Sequence, residues 1–309
     1  MLIKNFLFHR VSDEKDILWP PMNVALFDRL VAYISRRYSV VSLEDRLLEG
    51  ETARTHSRPL ATILFDDGYK DNIEYAVPVL EKYKCPASFY VVTDCIDRDI
   101  PTWTYIVDGL FQQTQKKTLD LSLHFLPGSW SNPSFRTLKE RLAFGAVLKP
   151  WMKTLSNEQR REVMMALQQS LNDVAVPEKK MMNWNDLRQM QSGGFVIGSH
   201  SVSHPLLASI ESEQEIMSEL TGSGKRIEAE LGRFPVTISY PVGSYDQRVI
   251  NCAQQAGYRL GLAVKQRFYN SGMDGLFAIP RVELYNEPFW KNRLRISGMY
   301  QWMRRIAKS

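Results

Sequence analysis

Short apolar, β-branched runs alternate along the chain with stretches whose apolar residues recur every three or four positions. That alternation reads as strands separated by amphipathic helices and predicts parallel α/β architecture. Candidate strands are Ile3–Phe8, Ala61–Phe65, Ala87–Val92, Phe195–Gly198, Thr237–Tyr240, Arg259–Val264 and Phe277–Val282. The helix signals between them are readable. Asp71 is placed to cap a helix whose Ile73, Ala76, Val77 and Leu80 share one face. Ser212 and Glu215 fit a capping box that opens a helix running to Leu231, where Gly232 stops it. Gly257 closes another helix that starts near Gln247. The expected class is a wound α/β barrel or sheet.

Residues 100–183 break this rhythm. They are polar, rich in Lys, Arg and Gln, and mostly helical in pattern, with segments such as Thr154–Asn172 reading as surface helices. They are expected to form a helical insertion, either a lid or a packing subdomain, carried by a barrel made of 1–99 and 184–289. From 290 to 309 the chain carries six basic residues and no acidic ones, with Trp290, Leu294, Trp302, Met303 and Ile306 interleaved. Such a tail can lie on an anionic leaflet, or pack on the barrel with a solvated charged face.

Composition adds mainly exclusions. The chain has 309 residues, 44% hydrophobic and 24% charged, which is globular rather than disordered or fibrous. Cys85, Cys95 and Cys252 are odd in number and lack metal-type pairing, so reduced thiols are expected. No run approaches the roughly 18 apolar residues of a membrane span, and no signal peptide is read at the N-terminus. The expected location is the cytoplasm, with peripheral contact at the inner face of the membrane. A net charge of +5 is too modest to indicate nucleic acid as partner.

Three segments carry candidate chemistry, each at a predicted strand end. In Leu64-Phe65-Asp66-Asp67-Gly68-Tyr69 two adjacent carboxylates leave an apolar strand, where their repulsion calls for a cation or a shared proton. Asp-Asp-Gly is also good turn chemistry. In Gly198-Ser199-His200-Ser201-Val202-Ser203-His204-Pro205 two histidines sit four apart, a spacing that aims both imidazoles at one point or leaves both in solvent. The third segment, Ser239-Tyr240-Pro241-Val242-Gly243-Ser244-Tyr245-Asp246, is a Pro-x-Gly turn.

Taken together, and with Trp184-Asn185-Asp186-Leu187 and the run Ser192–His200, these motifs resemble the polysaccharide deacetylases, the NodB-homology domain of carbohydrate esterase family four. The resemblance implies a distorted (β/α) barrel with fewer than eight repeats. It also implies a hydrolase that uses metal-activated water to remove N-acetyl groups from amino sugars. Carried over by position, Asp67, His200 and His204 would hold one divalent ion, for which two imidazoles and a carboxylate suit zinc. Asp66 would be the general base, and the Val242 N–H would help to hold the oxyanion.

Two family features are missing. Ser239 stands where an Arg usually orients the base, and no Leu-x-x-His supplies an acid near the C-terminus. Leu7-Phe8-His9-Arg10-Val11 resembles the opening of the permuted poly-N-acetylglucosamine deacetylase branch. That makes His9 the candidate acid, with an ordinary hydrogen-bonded strand-end histidine as the alternative, and leaves Arg281 either as a replacement orienter or in a surface salt bridge. His56 and His124 read as loop and structural residues. Trp103, Trp184 and Tyr240 are candidates for substrate contact, with core packing the plainer alternative. The expected substrate is an N-acetylated amino sugar, lipid-linked or soluble. Alternatives are a deformylase of a lipid-linked amino sugar and a catalytically silent glycan-binding or scaffolding barrel.

Overall fold

The computed structural model describes residues 1–48, 56–177 and 180–300. Its strands are β1 (Leu2–Phe8), β2 (Ser39–Val40), β3 (Leu60–Phe65), β4 (Ser88–Val91), β5 (Val196–Ser199), β6 (Thr237–Ser239), β7 (Leu260–Ala263), β8 (Tyr269–Asn270), β9 (Ile279–Pro280) and β10 (Val282–Glu283). The sheet order is β10-β1-β3-β4-β5-β6-β7-β9, and every neighbouring pair on that path is parallel. Off the path, β2 pairs with β3 and β8 runs antiparallel to β1.

The two ends of the path belong to one segment. Ile279 and Pro280 pair with Leu262 and Ala263 of β7, while Val282 and Glu283 pair with Phe6 and Leu7 of β1. Residues 279–283 therefore pass their hydrogen bonds from one sheet edge to the other at Arg281. The result is a nearly closed, distorted (β/α) barrel with flanking helices. The expected strand Phe277–Val282 is this closing segment, shifted toward the C-terminus and split.

Side chains alternate across a strand, so parity decides which residues look into the barrel. The outward set includes Phe6, Phe8, Ile63, Phe65 and Phe89, which pack with Phe27, Leu30 and Val31 of the helix Val24–Arg37 and with Leu187 and Ile227. Each such buried side chain contributes about 1.5–3 kcal/mol. The inward set starts with Ile3, Leu64, Tyr90, Leu260 and Ile279 and continues toward the C-terminal strand ends as polar residues. Glu44, from the helix Leu43–Leu48, accepts hydrogen bonds from Ser88 (2.7 Å), Tyr90 (2.8 Å) and Thr237 (3.0 Å) within the barrel.

Two expected caps differ in detail. The Asp71 side chain makes no capping bond; it accepts from Arg10 Nε (3.1 Å) and the Val11 N–H (3.2 Å). The chain then forms a π-helical turn, Asn72–Ala76, before the helix Val77–Lys82, with Pro78 in its first turn. Ser212 does cap the helix Glu213–Leu231. The Glu215 side chain, however, reaches Asn157 and Arg161 in the insertion rather than folding back. Gly232 (φ 81) and Gly257 (φ 104) end their helices as expected.

Within 100–183, the helices Trp103–Gln113, Leu138–Met152 and Asn157–Ser170 gather a second apolar core around Phe111, Leu148, Val163 and Leu167. The last of these helices thus has a fully buried stripe rather than being a surface helix alone. A Cβ at Gly145 would lie 2.8 Å from the Phe111 ring, so this glycine sets how closely two of the helices approach. At the other end of the chain, the helix Phe289–Ser297 packs on Val24–Arg37 through Phe289 and Tyr33 and ends at Gly298 (φ 92). Trp302, Met303 and Ile306 lie outside the described residues. No helix among the described residues is long and apolar enough to cross a membrane.

Candidate active site

The inward parity of the strands converges at their C-terminal ends. Leu7 and His9, Asp66, His200, Val264 and Glu283 all border a cavity of about 310 Å³, together with Trp19, Asp67, Thr104, Lys149, Lys153, His204 and Val242. Asp66 continues the inward register of β3. Asp67 joins it because the chain turns there: Asp67 has φ 77 and Gly68 φ 89. Glycine is needed in that second position, since a Cβ would in addition lie 3.0 Å from Val91 Cγ1.

Other left-handed residues line the same cavity or adjoin a residue that does. Ser201 (φ 68) and His204 (φ 58) bend the loop after β5, and Val242 (φ 57) sits in the turn after β6. Such a conformation costs about 1–3 kcal/mol for a residue with a Cβ, most clearly for a branched one. Its concentration here, set by the surrounding fold, points to side chains and a backbone N–H held for a purpose.

The His200–His204 loop is fixed from outside by Glu219. Its carboxylate accepts the backbone N–H groups of Val202 (3.0 Å) and Ser203 (2.9 Å) and the Ser203 hydroxyl (2.5 Å). From the insertion side, Trp103 Nε1 donates to the His204 carbonyl (3.1 Å). His200 Nδ1 lies 2.7 Å from the Ser239 carbonyl, and a donated proton there leaves its Nε2 with a free lone pair. That Nε2 and the Nε2 of His204 are each 3.4 Å from Asp67 Oδ1.

One donor atom from each of Asp67, His200 and His204 lies within 4.8 Å of the others, and all three residues are buried. The His204 Nδ1 is buried without a hydrogen-bond partner among the described residues. A buried N₂O donor set with two imidazole nitrogens directed at one carboxylate fits a divalent first-row ion such as zinc.

Asp66 belongs to a separate charge system. Arg281, wholly buried, donates Nη1 to Asp66 Oδ1 and Nη2 to Oδ2, both at 2.8 Å. Ser239 Oγ donates to Asp66 Oδ2 (3.1 Å) and accepts from Arg281 Nη2 (2.9 Å). Serine at 239 is therefore compatible with an oriented carboxylate: the guanidinium arrives from residue 281 and passes the small side chain.

Burial pushes the Asp66 carboxyl up, but the charges of Arg281 and His200 outweigh it and hold it below the usual range. Burial is likewise outweighed at Asp67, which hydrogen bonds from the two imidazoles hold well below that range. His200 is raised despite burial by the charge of Asp66 and by Asp67, whereas burial wins at His204 and lowers it.

His9 follows β1, with Nδ1 3.5 Å from Glu283 Oε1 and its ring edge-on to Trp19. The expected aromatic contacts lie elsewhere. Tyr240 points to the outer core, fully buried, and donates to the Phe277 carbonyl. Trp184 donates to Asp97 under the Arg226 guanidinium, and Trp103 supports the His204 backbone. None of these three lines the cavity. Trp19 does, from a loop whose sequence has no strand or helix period. Glu283 was reachable from strand parity, two residues after Arg281. Lys149 and Lys153 look in the sequence like any solvated i,i+4 helix pair.

A buried two-histidine, one-aspartate cluster thus stands beside an arginine-clamped carboxylate at the C-terminal mouth of a distorted barrel. Residues 53–261 match the polysaccharide deacetylase family, and the chain belongs to that family. The curated protein YxkH of Bacillus subtilis (strain 168), provisionally named a polysaccharide deacetylase, is 26% identical over 110 residues. These make up 36% of this chain and 39% of YxkH, so the match spans well under half of that relative.

Three solved structures share the fold. The Streptococcus pyogenes deacetylase PplD in complex with acetate has 17% identity, TM-score 0.61, and coverage of 96% of this chain and 98% of its own. A de-N-acetylase from Aggregatibacter actinomycetemcomitans has 17% identity and TM-score 0.62, covering 94% and 99%. IcaB from Ammonifex degensii has 14% identity and TM-score 0.59, covering 96% and 97%.

Proposed function

We propose that the chain is a metal-dependent hydrolase that removes the N-acetyl group from an amino sugar in a glycan or glycan precursor. The observation that carries the reading is the bidentate Arg281 clamp on Asp66 beside the Asp67, His200 and His204 cluster. It supplies an oriented, ionised base at the edge of a metal-type donor set.

In this reading Asp67, His200 and His204 hold the ion, with the Ser239 carbonyl fixing the ring of His200. A divalent ion there polarises the amide carbonyl and lowers the pKa of the attacking water. Asp66 takes a proton from that water, its second oxygen remaining fixed by Arg281. The Val242 N–H stabilises the tetrahedral oxyanion, a contribution of about 3 kcal/mol in comparable sites. His9, held between Glu283 and Trp19, gives a proton to the amine nitrogen as the C–N bond breaks. Acetate and a free amino sugar leave.

The first test is acetate release from N-acetylglucosamine oligomers by metal-loaded protein, beside Asp66→Asn. Release by the parent and its loss in the variant support the reading. Formate release from N-formyl sugars, with no acetate, would assign a deformylase instead. No release and no bound metal would leave a glycan-binding barrel. Membrane contact through 290–309 is a separate proposal, supported by the exposed Trp290 beside Lys291 and Arg293. Liposome flotation with and without that segment tests it, and equal flotation sinks it.

A further inference from the structure

Among the described charged side chains bordering the cavity, one ammonium is left without a carboxylate at ion-pair distance. Asp66 is matched by Arg281, Asp67 by the two imidazoles, and Glu283 faces His9 and accepts from Tyr285. Lys149 is engaged by Asp108, a buried carboxylate on the insertion helix Trp103–Gln113. Lys153 borders the cavity at the C-cap of Leu138–Met152, one helical turn beyond Lys149. Among the described residues no carboxylate lies within 4.0 Å of its ammonium. Burial lowers the pKa of Lys153, and the neighbouring charge of Lys149 lowers it further, with partial relief from Glu283, Asp108 and Asp67. Lys153 is itself solvent-exposed at the cavity rim, and an ammonium placed next to a second one and, among the described residues, out of ion-pair reach of any carboxylate gains from an anion brought in by what binds.

A lysine pair acts as two compact point charges, and as such lysine is an established binder of phosphoryl oxygens. The cavity also has room beyond the acyl group, since 310 Å³ is in the range of small-ligand sites. Both lysines come from the insertion, whereas the proposed metal and base residues come from the barrel. The arrangement separates two tasks, with the barrel acting on the amide and the insertion holding another part of the same molecule.

We infer that Lys153, supported by Lys149, binds a phosphoryl group carried by the amino-sugar substrate. The inference rests on the deacetylase reading above. Sugar phosphates reach such a site from two sources, a soluble sugar nucleotide or a sugar on a polyprenyl diphosphate, and the recognised chemistry is the same. The enzyme would then act on an activated precursor, downstream of the phosphoryl or nucleotidyl transfer that makes it and upstream of the glycosyl transfer that consumes it.

The test compares kcat/KM for N-acetylglucosamine 1-phosphate and for N-acetylglucosamine, using metal-loaded parent protein, Lys153→Gln, Lys153→Arg and Lys139→Gln. Lys139 lies in the first turn of the same helix and does not border the cavity. The expected result is a preference of at least tenfold for the phosphorylated sugar. It should collapse in Lys153→Gln, return in part in Lys153→Arg and persist in Lys139→Gln. Equal use of both sugars by the parent, or a preference that survives Lys153→Gln, overturns the inference.

If neither sugar is turned over, the deacetylase reading has failed on these substrates, and calorimetric binding decides the inference separately. Tighter binding of N-acetylglucosamine 1-phosphate than of N-acetylglucosamine, lost in Lys153→Gln, upholds it; equal binding overturns it. Running UDP-N-acetylglucosamine beside N-acetylglucosamine on polyprenyl diphosphate in detergent then tells which source supplies the phosphoryl group.

Discussion

Asp66 is a buried carboxylate whose oxygens take three donors, two from Arg281 and one from Ser239. Replacing Arg281 with Gln leaves that charge in a site where, among the described residues, the only other group able to act as a cation at ion-pair distance is His200, whose Nε2 is 4.0 Å away. Loss of one partner of a buried pair typically costs about 3–5 kcal/mol. Arg281→Gln is expected to lose that much in urea unfolding and to lower kcat for acetate release. Arg281→Lys should restore only part of it, because an ammonium cannot make the fork. Asp66→Asn is expected to lower kcat by about 10²–10⁴-fold while the protein still binds one zinc per chain by atomic absorption, since Asp66 is outside the donor cluster. Loss of the zinc as well would place Asp66 among the ligands. The residues Asp66, Asp67, His200 and His204 were legible because each group sits in a few consecutive positions. Arg281 was legible only as an open option, since its partner lies 215 positions away. The aromatic candidates misled: Tyr240 and Trp184 have polar tips that find partners in the packing, and nothing in composition separates them from Trp19.

Among the elements, the helix Glu213–Leu231 does more than cover the sheet, because its Glu219 ties down the loop that carries both histidines. Glu219→Ala is expected to weaken zinc binding about 10–100-fold, the usual loss for a group that positions ligands, read by competition with a chelating dye. Unchanged affinity would mean the loop is held without it. Lys4 on β1 plays a similar part for the helix Phe289–Ser297, donating to the carbonyls of Ile296 (2.9 Å) and Ser297 (3.3 Å). Burial lowers its pKa from the usual 10.5 to about 8. Between those values the unfolded chain holds a proton that the folded chain has released, so stability should rise with pH above 8 through this group. Urea midpoints from pH 7 to 9 should show that rise in the parent and lose it in Lys4→Met. The major strands were readable from their β-branched runs, within one or two residues. β2 and β8 were not, since two residues carry no period. Asp71 was misassigned because its capping chemistry is used by Arg10 and Val11, which are distant in sequence.

At the scale of the whole molecule, the insertion has an apolar core of its own and supplies Thr104, Lys149 and Lys153 to a site otherwise built by the barrel and the loops it carries. Gly145→Leu should wedge the helices Trp103–Gln113 and Leu138–Met152 apart at Phe111 and shift those lysines. The expected outcome is a raised KM with zinc stoichiometry unchanged, and an unaltered KM would show that the insertion takes no part in binding. The barrel's last strand carries a consequence of another kind. Because residues 279–283 both join β7 to β1 and deliver the guanidinium to Asp66, closing the barrel and pairing that buried carboxylate are one event. A ribosome must have passed residue 283 before that event can occur. Every product that stops before Arg281 carries two bare sheet edges and an Asp66 carboxylate without its guanidinium, so it lacks the feature on which the proposed activity rests and is at the same time conspicuous to chaperones and proteases.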